Sequence, residues 1–254
     1  MGQPSIQGPV YPRLALAEQR TLFQKVVARC HPRPGEPVPV VLFDLDGTLM
    51  DNRPRTAVIL QELAHELRRE AHTAAEAIAA ARAEGLAYLL NESLAQLGVE
   101  HPELVARAES FWRERFFSDA YLKHDIAVAG GVELARACYD AGATIVYFTG
   151  RDLPLMSLGS FQSLRDLGFP IGVVGTELVC KPDARIPDER FKRDEAPKIA
   201  RIGHVVATFD NEPGNCNAFL ETCPGADVVF VDTQHLPGAP PLAPEVRVVA
   251  DLTM

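Results

Sequence analysis

Residues 41–50 read VLFDLDGTLM, and the chemistry of the chain starts with the two carboxylates in that stretch. Asp44 and Asp46 are separated by one apolar residue, follow an apolar run directly, and precede a glycine. Side chains alternate along a strand, so Leu45 turns into the core while both acids face one small group beyond the strand end. Gly47 lets the chain turn sharply there without a Cβ clash. Similar groups recur further along, each after an apolar run: Thr149-Gly150-Arg151-Asp152, Asp210-Asn211-Glu212 and Asp232-Thr233-Gln234-His235. Carboxylates gathered on one edge repel unless a proton or a cation sits among them. A hard cation such as Mg2+ takes such oxygens, typically one or two carboxylates with waters and a substrate phosphate. A calcium loop does not fit, because an EF-hand needs glycine at its sixth position and glutamate at its twelfth. Counting from Asp44, glycine is fourth and Arg55 is twelfth.

The elements that must position these groups can be read from periodicity. Residues 38–43, VPVVLF, form a buried strand bounded by proline and Asp-Gly. From residue 128, strands and helices alternate. Helices are expected at 131–141, 154–167, 194–202 and 214–222, and strands at 143–148, 171–175 (IGVVG), 204–209, 227–231 and 246–250. Such alternation means an α/β fold, a parallel sheet covered on both faces. In an open sheet of this kind, ligands bind at the carboxyl ends of the strands, where the polar groups fall. Residues 54–118 are rich in Ala, Leu, Glu and Arg and read as helices near 55–70, 73–83, 86–97 and 103–117. The organisation is therefore a proline-rich, partly helical extension over 1–37, a core from 38–51 and 128–254, and a helical insert over 52–127. In the extension, Leu14, Leu22, Val26 and Val27 have helical spacing; the segment packs on its own core or serves as a docking arm.

Composition bounds the function. The 254 residues are 47% hydrophobic and 23% charged, in the range of an ordinary globular protein. A net charge of -9 argues against nucleic acid as a partner, since such binders need a basic face. The five cysteines are odd in number and form no C-x-x-C pair, which points to reduced thiols. No stretch approaches the roughly 18 apolar residues of a membrane span, and the N-terminus lacks a basic start followed by an apolar run. The expectation is a soluble cytoplasmic protein that contacts no membrane, with its oligomeric state left open.

FDLDGTL, a helical insert, YFTGR and then FDNEP, in that order, resemble the haloacid dehalogenase superfamily of Mg2+-dependent phosphatases. The resemblance spans residues 38 to about 232 and rests most on its first motif. It implies a Rossmann-like core with a helical cap of the first type. It implies a phosphomonoester hydrolase acting on a small phosphorylated metabolite. Asp44 matches the nucleophile, Asp46 the general acid and base, and Thr149 the hydroxyl that bonds a phosphoryl oxygen beside the N–H of Gly150. Asp210 matches the metal ligand, alongside Asp44 and the backbone carbonyl of Asp46, with Asn211 supporting the metal's waters. Asp210 is also expected to cap the following helix.

The family's lysine is ambiguous here. Lys192 is favoured over Lys181 and Lys198, because Pro197 reads as first-turn proline and Asp194 as N-cap, which sets Lys192 just before a helix. Arg151 is expected to touch substrate or to pair with Asp152. Asp232 and His235 end a strand at the same rim and are weaker substrate candidates. Trp112, Arg113, Arg115, Phe116 and Tyr121 of the insert point into the site or form the insert's own core. Asparagine at 211 replaces the more common second acid, and Glu212 adds one, which leaves the second metal carboxylate open. The alternatives are a phosphoryl-transferring mutase and a catalytically idle phosphate-binding or partner-docking protein. Dehalogenation does not need Asp46, because its leaving group takes no proton.

Overall fold

The computed structural model describes residues 11–254, so residues 1–10 of the expected extension lie outside the described residues. Helix α1 (Leu16–Arg29) leads into strand β1 (Pro39–Phe43) and a two-residue strand β2 (Met50–Asp51). The insert follows as α2 (Arg53–Leu67), α3 (His72–Ala79), α4 (Leu90–Gln96) and α5 (Pro102–Phe116), with 3-10 turns at Ala83–Gly85 and Asp119–His124. Strand β3 (Ile126–Ala127) returns the chain and pairs antiparallel with β2. The rest alternates: α6 (Gly131–Asp140), β4 (Thr144–Asp152), α7 (Leu153–Leu167), β5 (Thr176–Lys181), α8 (Asp188–Ile199), β6 (His204–Asp210), α9 (Pro213–Thr222), β7 (Asp227–Val231) and β8 (Arg247–Val249).

Six strands form one sheet in the order β5-β4-β1-β6-β7-β8, and every pair is parallel. This is the Rossmann-like α/β architecture. After β1 the chain builds outward through β4 and β5; from β6 it builds the other way through β7 and β8. A crevice opens where the direction reverses, between β1 and β6, and those strands end at Asp44 and Asp210. All five residues of β1 are buried, as a central strand with two covered faces requires. Val41 and Phe43 join one core with Leu22, Phe23 and Val26 of α1 and Leu134 of α6. Val40 and Leu42 join a second core with Phe191 of α8 and Phe219 of α9. Helix α1 thus packs against its own chain and closes one face of the sheet. A third core, built on Leu60, Leu63, Leu67, Ile78 and Leu94, belongs to the insert alone.

Two expected elements are displaced. IGVVG at 171–175 is a loop, and the strand is Thr176–Lys181. Gly172 and Gly175 hold φ of +73° and +83°, which breaks an extended run, and Val174 is 94% exposed. Helix α8 begins at Asp188, not near 194, with Pro187 at its N-cap and Asp188 and Glu189 in its first turn. Asp194 is therefore mid-helix and Pro197 lies inside the last turns. The acidic first turn favours the earlier start, where carboxylates meet the positive end of the helix dipole.

Candidate active site

Three strand ends meet at one point. Asp44 closes β1, and its backbone N–H donates to the carbonyl of Phe209 at 2.9 Å, so the nucleophile candidate stays tied to β6. The chain then wraps the carbonyl of Leu45, which accepts the N–H groups of Thr48, Leu49 and Met50. Leu45 is fully buried, as its position between the two acids requires. Gly47 sits at φ +80°, and a Cβ there would lie 2.3 Å from the side-chain nitrogen of Asn211. The glycine is required by both conformation and space.

Lys192 reaches this point from the second turn of α8. Its Nζ donates to Asp44 Oδ1 and to Asp210 Oδ2, each at 2.6 Å, and the side chain is buried. Lys181 pairs with Asp188, and Lys198 pairs with Glu195 on the surface. Of the three candidate lysines, only Lys192 touches Asp44. Its position does not come from preceding the helix, as expected, but from facing the strand ends within it. Burial works against its charge, yet the carboxylates of Asp210 and Asp44 outweigh that and hold its pKa well above the ordinary lysine range. Burial pushes the Asp44 carboxyl up to about 7 against the pull of Lys192, and the charges of Asp210 and Asp46 add to the rise. The other oxygen of Asp210 accepts the N–H of Glu212 at 2.9 Å and Asn215 Nδ2 at 3.0 Å.

Asp46 is held differently from the expectation. Arg151 forks onto it through Nε at 2.6 Å and Nη2 at 2.9 Å, Arg55 Nη2 adds a contact at 2.8 Å, and Asn52 Nδ2 one at 3.1 Å. Burial alone would raise its pKa; the two guanidiniums reverse that and hold it far below the usual carboxylate range. Both arginines also bind Asp125, Arg55 by two donors at 2.8 and 2.6 Å and Arg151 by one at 2.7 Å. Arg55, Arg151 and Asp125 are all buried. Arg151 lines the cleft, but its donors go to Asp46, Asp125 and Ser160 and not to Asp152. Asp152 instead caps α7, accepting the N–H of Leu155 at 3.2 Å.

Sequence reasoning passed over Arg55 and Asp125. The one available signal was that Arg55 shares a helical stripe with Ile59 and Leu63, both fully buried, so a charge stood where an apolar residue belonged.

The remaining candidates separate by position. The Thr149 hydroxyl is buried at the cleft and accepts the N–H of Arg151 at 3.2 Å. Gly150 faces Asp188, whose carboxylate lies 2.2 Å from where a Cβ would stand. Asn211, expected near metal waters, is spent on the loops: it accepts Thr48 Oγ1 and donates to the carbonyl of Gln234. Asp210 does not cap α9; Glu212 holds the N-cap position and Pro213 the first turn. The Glu212 carboxylate accepts the N–H of Leu236 and faces the Tyr88 hydroxyl, and burial pushes it up to about 7, with the Asp210 charge adding to the rise. Asp232 pairs with Arg13, and His235 packs against Tyr11 and Phe230. Within the insert, Trp112, Arg113 and Phe116 line the cleft, whereas Arg115 stacks on Phe111 and Tyr121 bonds Glu62.

The cleft over these groups has a volume of about 1150 Å³ and is shared by the strand ends and the insert. Whether it suits a cation can be judged from its donors. Among the described residues, no three His, Cys, Asp or Glu side chains are grouped to hold a metal by themselves. Asp44 and Asp210 nevertheless converge on a single ammonium, two carboxylates to one cation. Two hard carboxylates suit Mg2+, which completes its shell with water and phosphate.

Fold and site define a class: α/β proteins that gather carboxylates and a lysine at the switch point of a parallel sheet. The chain belongs to the haloacid dehalogenase-like hydrolases, whose family model matches residues 38–232. No curated protein matches it. Among solved structures, it is similar to a candidate phosphatase from Clostridium difficile at 14% identity, covering 79% of this chain and 88% of that one with a TM-score of 0.51. It is also similar to Protein Tyrosine Kinase A from Mycobacterium tuberculosis at 16% identity, covering 85% and 94% with a TM-score of 0.53. At these identities the likeness is one of fold. No helix among the described residues is long and apolar enough to cross a membrane.

Proposed function

We propose that this chain is a Mg2+-dependent phosphomonoester hydrolase that works through an aspartyl-phosphate on Asp44. The observation that carries the reading is the single ammonium of Lys192 shared by Asp44 and Asp210, with Asp44 two residues before the acid Asp46. An oxygen of Asp44 attacks phosphorus, the bond to the ester oxygen breaks, and that oxygen takes a proton from Asp46. Water then attacks the acyl-phosphate, its proton goes to Asp46, and Asp44 is released with inorganic phosphate. Lys192 keeps Asp44 oriented and offsets the charge of the incoming phosphoryl group. Thr149 Oγ1 and the N–H of Gly150 hold its outer oxygens. Asp44, Asp210 and the Asp46 carbonyl would hold Mg2+, which when bound would supply positive charge to offset that of the phosphoryl group.

Asp46 needs one further step. Clamped by Arg151 and Arg55, it is ionised and poorly disposed to donate a proton. A phosphoryl group entering beside it competes for the Arg151 guanidinium, which lines the cleft and takes phosphate as well as carboxylate in a bidentate pair. Weakening of that pair raises the Asp46 pKa toward the range of a working acid. The helical insert acts as a cap over this chemistry and excludes water.

The test is phosphate release from a phosphomonoester panel, with and without Mg2+, by wild type and Asp44→Asn. Metal-dependent release that the substitution abolishes is the expected result. Undiminished release from Asp44→Asn would sink the reading.

A further inference from the structure

The site's chemistry selects a phosphate; the walls of the cleft select what the phosphate is attached to. At about 1150 Å³ the space exceeds the roughly 300–1,000 Å³ usual for small-molecule sites, so a phosphoryl group alone leaves most of it unfilled. One wall is the end of α5. Trp112 stacks on Phe116 at 4.3 Å, and Phe117 meets Trp112 edge-on at 5.7 Å. Trp112 partly serves the insert's core, but Phe116 and Phe117 lie outside that core. Phe117 is 39% exposed although it lines the cleft. Leu86 and Tyr88 line it from the loop before α4, and Leu236 and Pro240 from the proline-rich loop after β7.

Several polar groups beside these walls are already engaged, while Glu109 and Arg113 of α5 also line the cleft. Asp51 and Arg53 fork onto each other, Asn52 bonds Asp46, the indole N–H of Trp112 bonds Thr56 Oγ1, and Gln234 bonds the carbonyl of Leu86. Against Trp112 and Phe117 a substrate meets ring faces, with the one indole N–H already given to Thr56, so hydroxyls placed there gain no partner. A flat ring gains contact area and stacking there.

Resting on the phosphohydrolase reading, we propose that the substrate is a phosphomonoester whose alcohol carries an aromatic ring, and that Trp112 and Phe117 determine this selectivity. Trp112 is the sole tryptophan of the chain, so its fluorescence reports occupation of that wall without any turnover. The experiment titrates Asp44→Asn protein with 2-naphthyl phosphate and with glycerol 3-phosphate while following that fluorescence. In parallel, kcat/KM is measured for both esters, and for acetyl phosphate, with wild type, Trp112→Leu and Phe117→Ala. The expected result is saturable quenching by the naphthyl ester only, together with a wild-type preference for it that falls about tenfold in each variant. Phe117→Ala keeps the test open if Trp112→Leu fails to fold. Equal kcat/KM for the naphthyl and glycerol esters, or a preference untouched by Phe117→Ala, overturns the inference while leaving the phosphohydrolase reading intact. No turnover of either ester, nor of the acyl phosphate, sinks that underlying reading; quenching by the naphthyl ester then still supports an aromatic-selective wall, and its absence overturns that as well.

Discussion

Replacing Asp125 by Asn tests the buried network around Asp46. Asp125 accepts three hydrogen bonds, two from Arg55 and one from Arg151, and the three side chains are at most 1% exposed. Asparagine keeps the shape but removes the charge. Two buried guanidiniums then share the single carboxylate of Asp46, and one positive charge is left without its counterpart. Removing one partner of a buried pair typically costs about 3–5 kcal/mol, because the other charge stays desolvated. Asp46 remains as a partial counter-ion, so the lower end, about 3 kcal/mol, is expected. For a chain of this size that corresponds to roughly 6–12 °C in Tm. The assay is urea unfolding followed by circular dichroism, with a thermal scan beside it. A variant within about 1 kcal/mol of wild type would refute the reasoning, since Arg55 and Arg151 would then be satisfied without Asp125.

Other expectations follow from the same geometry. Lys192→Met should abolish phosphate release, whereas Lys198→Ala, which loses only a surface pair with Glu195, should leave it within about twofold of wild type; comparable losses in both would remove Lys192 from its assigned place. Stability of the metal-free protein should fall as pH rises from about 4 to 7. Asp44 and Glu212 both have folded pKa values near 7, above their unfolded ones, so the native state binds more protons across that window. Asp46 acts in the opposite sense, since its lowered pKa contributes stability that is lost only as the solution turns more acidic than its unfolded pKa. Denaturation midpoints measured at half-unit intervals should therefore peak near pH 4 and decline to pH 7, and Asp44→Asn should flatten the decline; a midpoint rising steadily to pH 7 would contradict the assignment.

The sheet was legible because β1 is an unbroken buried apolar run and β6 is buried after its first residue and mostly apolar, which leaves little choice of element. β5 was not, and the reason is its place at the sheet edge. Its residues are mostly half-buried and mixed, so the more apolar IGVVG beside it gave the stronger pattern despite its glycines. The start of α8 was misjudged because Pro197 suggested a first turn, while the helix tolerates it near its other end. Asp44, Asp46, Thr149 and Asp210 were legible from local spacing after strands. Arg55 and Asp125 were not, because their partnership spans 70 positions and exists only once β2 and β3 pair.

That pairing has a mechanical consequence. The chain leaves the sheet through β2 and returns through β3, so both crossings run side by side in one short ribbon. Two adjacent crossings act as an axle: they favour rotation about one line over translation or twist. Arg55 stands four residues beyond β2, close to the pivot, and packs on the Phe116 ring at 4.2 Å. Rotation about that line displaces either little, so the clamp on Asp46 and the adjoining part of the aromatic wall keep one position together.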